Sequence, residues 1–214
     1  MNKYTFRQIY KVTLIALCIA SASIANAQQF RFGLFGAPSL NYLGTDQPNI
    51  TRDAKVFFNF GFITEYTFSD KYGLATGLDF VQRGAEVLIR DTLGEYRSNF
   101  LQIPITIKMR TKEYGRLTYF GRFGGSLAFE TNERTTITPA FAPERALNSY
   151  VAFYNMTLNI GGGVEYNIGG ESRLLMELLY GQALFDNLRD KDPRLNNNNH
   201  YRFNSFELRM GIIF

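Results

Sequence analysis

The chain has one cysteine, one histidine and no tryptophan in 214 residues. Cys18 lies within the first 27 residues, so a protein shortened to residue 28 onward has no disulfide framework and no thiol chemistry. His200 alone, with no cysteine near it, gives no metal-ligand spacing. An excess of one charge is also missing. The first 27 residues hold Lys3, Arg7 and Lys11, three of the 23 basic residues, and none of the 19 acidic ones. The remainder is therefore close to neutral and makes no electrostatic case for nucleic acid. No segment after residue 27 approaches the run of about 20 apolar residues that a membrane helix needs.

The opening stretch has a recognisable order. Lys3, Arg7 and Lys11 precede an apolar run from Val12 to Ala22, and Ala25-Asn26-Ala27 follows. A basic region, a short apolar core and an A-x-A site predict a cleaved secretory signal over residues 1–27, leaving one barrel domain over 28–214. Leu17 before Cys18 is larger than the small residue a lipoprotein site requires.

What the chain does have is alternation with a period of two. The last segment is the clearest: Phe206, Leu208, Met210, Ile212 and Phe214 share one face, and Ser205, Glu207, Arg209, Gly211 and Ile213 the other. Phe58, Phe60, Phe62, Thr64, Tyr66 and Phe68 likewise alternate with Asn59, Gly61, Ile63, Glu65 and Thr67. Similar segments start near Phe30, Tyr72, Phe100, Leu117, Tyr154 and Arg173, which makes eight. Pro38 is expected to limit the first, Gly84 to mark a bulge in the third, and Pro104 is a misfit within the fourth because it cannot donate to a ladder.

Connections alternate too. Ser69–Lys71, Thr111–Gly115 and Gly169–Glu171 are short, whereas Asn41–Lys55, Ile89–Asn99, Thr131–Ser149 and Asn187–Tyr201 are long. This predicts an all-β fold, an eight-stranded antiparallel up-and-down transmembrane β-barrel. Its short turns would be periplasmic, its long loops extracellular and both termini periplasmic. A soluble lipocalin-like barrel is the rival. The minor face is too polar for an apolar ligand, the major face carries no charge over each central stretch, and Tyr66, Tyr72, Tyr119, Tyr166 and Tyr180 sit where a membrane girdle belongs.

Eight strands leave an interior that side chains can fill, and ions confined there must pair. Arg122, Glu177, Glu207 and Arg209 are near mid-strand on the inward face and are the expected centre of a structural charge network. A gated proton or ion path is the sharper and less economical alternative. Catalysis would need a nucleophile and an acid around His200. Ser205 belongs to a strand, and Asp190 and Asp192 lie in an Asn-rich, Pro-containing loop, so no nucleophile–base–acid set can be placed. Gly161-Gly162-Gly163 lies inside a strand pattern and reads as close packing or a bend, not a phosphate loop.

Phe100-Leu101-Gln102-Ile103-Pro104-Ile105-Thr106-Ile107-Lys108 resembles the Tyr-Leu-Glu-Ile-Pro-Leu-x-x-Lys signature of the Bacteroidetes PorT-like outer-membrane barrels, a porin-family group. Gly161 through Tyr166 and Tyr180-Gly181-Gln182, with Leu184 and Asn187, add to the likeness, which spans the chain after the signal. The resemblance implies an eight-stranded outer-membrane barrel, and for its named member a part in protein secretion and gliding. Gln102 stands where that family usually has Glu. A final strand ending in Phe214 is similar to the assembly signal of many such barrels.

The expectation is thus an integral outer-membrane protein without enzymatic chemistry or cofactor. Its expected partners are outer-membrane lipid, the barrel-assembly machinery through the last strand, and a possible envelope protein met by the loops. The alternatives are an accessory barrel of a secretion or gliding system and, less favoured, a lipid-modifying enzyme.

Overall fold

The computed structural model describes residues 29–45, 50–89, 92–139, 145–147, 154–185 and 201–214. The expected signal, residues 1–27, lies outside these, as do His200, Asp190 and Asp192. Ten strands follow in order: β1 Phe30–Thr45, β2 Ile50–Asp53, β3 Lys55–Ser69, β4 Tyr72–Ile89, β5 Thr92–Arg110, β6 Leu117–Pro139, β7 Arg145–Leu147, β8 Tyr154–Gly169, β9 Ser172–Ala183 and β10 Tyr201–Ile213.

Each long strand pairs antiparallel with its sequence neighbour, and β10 pairs with β1 from Gly33↔Ile213 to Thr45↔Tyr201. The eight long strands therefore close into a ring with no edge. Closure reaches the last residue: Phe214 N–H donates to the Phe32 carbonyl at 2.7 Å, and Phe32 N–H to the Phe214 carbonyl at 3.1 Å. In hydrocarbon an unpaired backbone group costs several kcal/mol, so only such a closed ladder can stand in lipid.

The two faces are inverted relative to a soluble barrel. Phe58, Phe60 and Phe62 on β3 are 58%, 51% and 55% exposed, while Phe57, Asn59, Gly61, Ile63 and Glu65 between and beside them are buried. Leu174, Met176 and Leu178 on β9 repeat the pattern opposite Leu175, Glu177 and Leu179. An apolar surface this continuous would drive association in water; in a bilayer it is the side that dissolves. Cross-strand aromatic pairs cover it at both levels, Phe30 with Tyr66 at 4.9 Å near the short turns and Tyr180 with Phe206 at 4.9 Å near the opposite end.

Short turns join β3 to β4, β5 to β6 and β8 to β9. Gly115 and Gly170 have φ of 67° and 60°, a left-handed conformation open to glycine at no steric cost. At the opposite end the strands run further than the spacing of turn residues predicts. β4 and β5 stay paired to Ile89↔Thr92, replacing the expected loop Ile89–Asn99 with a hairpin. β6 continues beside β5 to Thr92↔Pro139, β7 adds to β6, and β2 adds to β4. Among the described residues the β8–β9 pairing reaches Thr157↔Ala183, with one further bond from Leu184 N–H to the Met156 carbonyl at 2.8 Å. One side of the rim rises as a sheet ordered β2-β4-β5-β6-β7.

Three local expectations are corrected. β1 does not stop at Pro38 but runs to Thr45; the β1–β10 pairs skip Ala37 and Pro38, so the missing N–H interrupts one ladder only. Pro104 is tolerated in the same way, paired to Ser126 on β6 while the β4–β5 pairs skip Ile103 and Pro104. The β4–β5 register is continuous through Gly84; the bulge falls instead in β6, where Thr131 is left between Asn99↔Asn132 and Phe100↔Glu130 and donates its hydroxyl to the Asn99 carbonyl at 3.0 Å.

Candidate functional site: the charged lumen and its short-turn mouth

Inward side chains fall into three layers. The middle layer is apolar: Phe35, Ala37, Ile63, Phe120, Leu175 and Ile213 form one buried cluster. Space for its rings comes from glycine. A Cβ on Gly61 would stand 2.8 Å from Phe35 Cε1, and one on Gly163 would stand 2.9 Å from Phe120 Cζ. That is the packing role expected for the Gly161–Gly163 run.

Toward the tall rim lies a balanced polar layer. Arg209 donates from Nη2 to Asp79 Oδ2 at 3.0 Å and from Nε to Glu207 Oε2 at 3.0 Å, and Asn59 donates to Glu207 Oε1 at 3.1 Å. Arg83 donates to Thr157 Oγ1 at 3.0 Å and to Gln102 Oε1. Its guanidinium, 2% exposed, thus has neutral acceptors, and Gln102 meets it where the PorT-like signature would place an acid.

Toward the short turns the layer is denser and unbalanced. Lys108 Nζ stands 2.5 Å from both Glu65 Oε1 and Glu165 Oε1. Arg31 donates from Nη2 to Glu65 Oε2 at 2.6 Å and from Nη1 to Glu165 Oε2 at 3.2 Å. Arg110 also donates to Glu65 and sits 3.6 Å from Glu165. Arg173 Nη1 donates to Thr118 Oγ1 at 3.0 Å and lies 3.7 Å from Glu165. Buried ions of this kind persist only when paired, and here one carboxylate serves several cations.

The four residues expected at the centre are all buried on the inward face. Arg209 lies opposite Glu177 in the β10–β9 ladder and bonds Glu207, while Arg122 Nε approaches Glu177 Oε1 at 3.0 Å. That last contact is an ion pair without hydrogen-bond alignment, for both Glu177 oxygens lack a donor. The most connected groups are others: Glu65, Lys108 and Glu165. They were legible as inward residues but not as a cluster, because strands tilt and a barrel's cross-lumen neighbours are not at equal positions along their strands.

Two of the lysine and arginine heads also sit on the apolar layer. Lys108 Nζ is 4.0 Å from the Phe120 ring centre and Arg209 Cζ is 4.3 Å from that of Phe35. Below the cluster a cavity of about 400 Å³ opens at the short-turn end, lined by Arg31, Arg110, Arg173, Thr67, Thr118 and the two turns Asp70–Lys71 and Thr111–Glu113. Among the described residues no group of His, Cys, Asp and Glu could hold a metal ion.

The fold is shared with solved outer-membrane barrels. OprG from Pseudomonas aeruginosa is 13% identical, with a TM-score of 0.51 over 86% of this chain and 95% of that one. Neisserial surface protein A is 11% identical over 85% and 95%, TM-score 0.47. Ail, the attachment invasion locus protein of Yersinia pestis, is 13% identical over 87% and 99%, TM-score 0.45. No curated protein matches in sequence. The model of the outer membrane protein beta-barrel domain matches residues 26–189. With a lipid-facing exterior closed into an eight-stranded ring, this chain is an integral outer-membrane barrel and belongs to the outer membrane protein beta-barrel domain family.

Proposed function

We propose that the chain is a structural and interaction barrel of the outer membrane, without enzymatic activity, that meets an envelope or external partner through its raised rim. The observation behind this reading is the sheet β2-β4-β5-β6-β7, which extends past the ring while the interior below it is filled. Among the described residues β2 pairs with β4 and β7 with β6, each leaving a second edge that a partner strand can extend. In this reading the short turns and both termini are periplasmic. Outer-membrane lipid covers the apolar belt, and the barrel-assembly machinery engages the last strand ending in Phe214.

The test is a photo-crosslinking side chain at Glu95, a rim residue whose side chain is 44% exposed. In living cells it should trap one partner of defined mass, lost when the rim is shortened by deleting 88–93 and 135–148. A shortened barrel that still shifts in heat-modifiability gels but supports the same cross-link, or a full chain that traps nothing, overturns the reading. A secretion-accessory role of the PorT-like kind has the Phe100–Lys108 motif behind it. It predicts lost cargo secretion in a deletion strain, and an intact secretome dismisses it.

A further inference from the structure

We propose that the short-turn mouth of the barrel is a binding site for a phosphate-type oxyanion, held by Arg31, Arg110 and Arg173. Charge favours an anion there. Around Glu65 and Glu165, the two buried carboxylates of this end, stand four cations: Arg31, Lys108, Arg110 and Arg173. The rim adds Lys71 and Lys112 but also Asp70 and Glu113, which cancel them. The end of the lumen is left with an excess of two positive charges, in walls of low dielectric that focus the field toward the opening.

Hydrogen-bond donors at the mouth are a second feature. Arg31 Nε is buried without a hydrogen-bond acceptor, and Arg110 Nε faces Glu165 Oε1 only at 3.6 Å, beyond hydrogen-bond distance. A buried N–H left unmade is costly, so Arg31 Nε marks an acceptor position that the chain itself does not fill. The third is space. Both arginines line the 400 Å³ cavity, together with Arg173 and the Thr67 and Thr118 hydroxyls. Guanidinium forks match a tetrahedral oxyanion in bidentate geometry, and hydroxyls complete it. The cavity is larger than one phosphate, so the oxyanion can be free or the terminal group of a soluble ester.

The mouth has the same charges and donors whichever side of the membrane it faces, so the site is tested apart from the rim-partner reading.

The experiment is calorimetric titration of the full barrel, in an amine-oxide detergent that carries no phosphate, with inorganic phosphate and then glycerol 3-phosphate at low salt. Saturable binding below about 1 mM is expected, as charge-assisted contacts support, weakening as salt rises. Arg173→Gln should weaken it by about tenfold, a lost charge-assisted contact, and Lys71→Gln with Lys112→Gln, both exposed, should weaken it without touching the fold. Lys55→Gln, at the far end beside Glu86 and Glu95, should leave it unchanged. Tighter binding of the ester assigns the natural ligand to soluble esters, equal affinity to the free ion. The proposal is overturned by no saturable binding, by binding indifferent to Arg173→Gln and the lysine pair, or by phosphate binding lost when the barrel is moved into anionic-lipid nanodiscs, which would make the ligand a lipid headgroup.

Discussion

Replacing Glu65 should damage this barrel more than replacing Lys108, although the two side chains touch and are equally buried. Glu65 contacts Arg31, Lys108 and Arg110, and lies 3.9 Å from Arg122. Removing one member of a buried pair costs about 3–5 kcal/mol, because the remaining ion is left uncompensated. Glu65→Gln strips counter-charge from four cations in a cluster already rich in cations, so it belongs at the upper end of that range. Lys108→Met, of similar volume, leaves Glu65 with Arg31 and Arg110, and Glu165 with Arg31 and Arg173. It also relieves repulsion among the remaining cations and keeps an apolar group against Phe120. Its cost should be at or below the lower bound, about 3 kcal/mol. Urea unfolding in lipid vesicles, followed by gel mobility, measures both. Lys108→Met proving more destabilising than Glu65→Gln would refute the claim that this end of the lumen is short of negative charge.

Other outcomes follow from the same geometry. Phe60→Arg, in the outward belt beside Phe80, should cost about 2–4 kcal/mol in vesicles; equal or greater stability would place water outside. Gly61→Val should cost about 1–3 kcal/mol by overpacking, and adding Phe35→Leu should recover only part, since the Leu78 carbonyl would still be 2.6 Å from the new Cβ. Deleting Phe214 removes two backbone bonds to Phe32 and should lower outer-membrane yield in cells far more than refolding yield in vitro; equal losses would mean that Phe214 acts through stability alone.

Strand faces were legible because burial here is a two-valued property read along one strand. Among the described residues of the eight long strands the inward and outward rows fall as the alternation predicts. Registers were not. Pro38 and Pro104 look like strand breakers in one dimension, yet each faces a paired neighbour on one side and a skipped pair on the other. Gly84 hides a continuous ladder for a related reason: beyond the membrane the β4–β5 hairpin has no lipid side, so the alternation that reveals strands fades while the pairing persists. The charge cluster was the least legible feature. Arg31 and Glu165 bond across 134 residues of sequence, and the strand tilt that brings them together leaves no mark on composition or period.

The three inward layers bear on what the barrel can do. Arg83 and Arg209 against Asp79 and Glu207 leave the rim side of the lumen neutral, whereas the short-turn side keeps its positive excess. Between them Phe35, Ile63, Phe120, Leu175 and Ile213 close the bore, with Arg209 seated on one ring and Lys108 on another from opposite sides. A solute drawn into the basic mouth would have to displace both rings and bring its charge through an apolar layer, whose desolvation cost is several kcal/mol per ion. Both rings rest on glycine, Phe35 against Gly61 and Phe120 against Gly163, where a Cβ would stand within 3 Å of the ring. The arrangement therefore favours holding an anion over passing one.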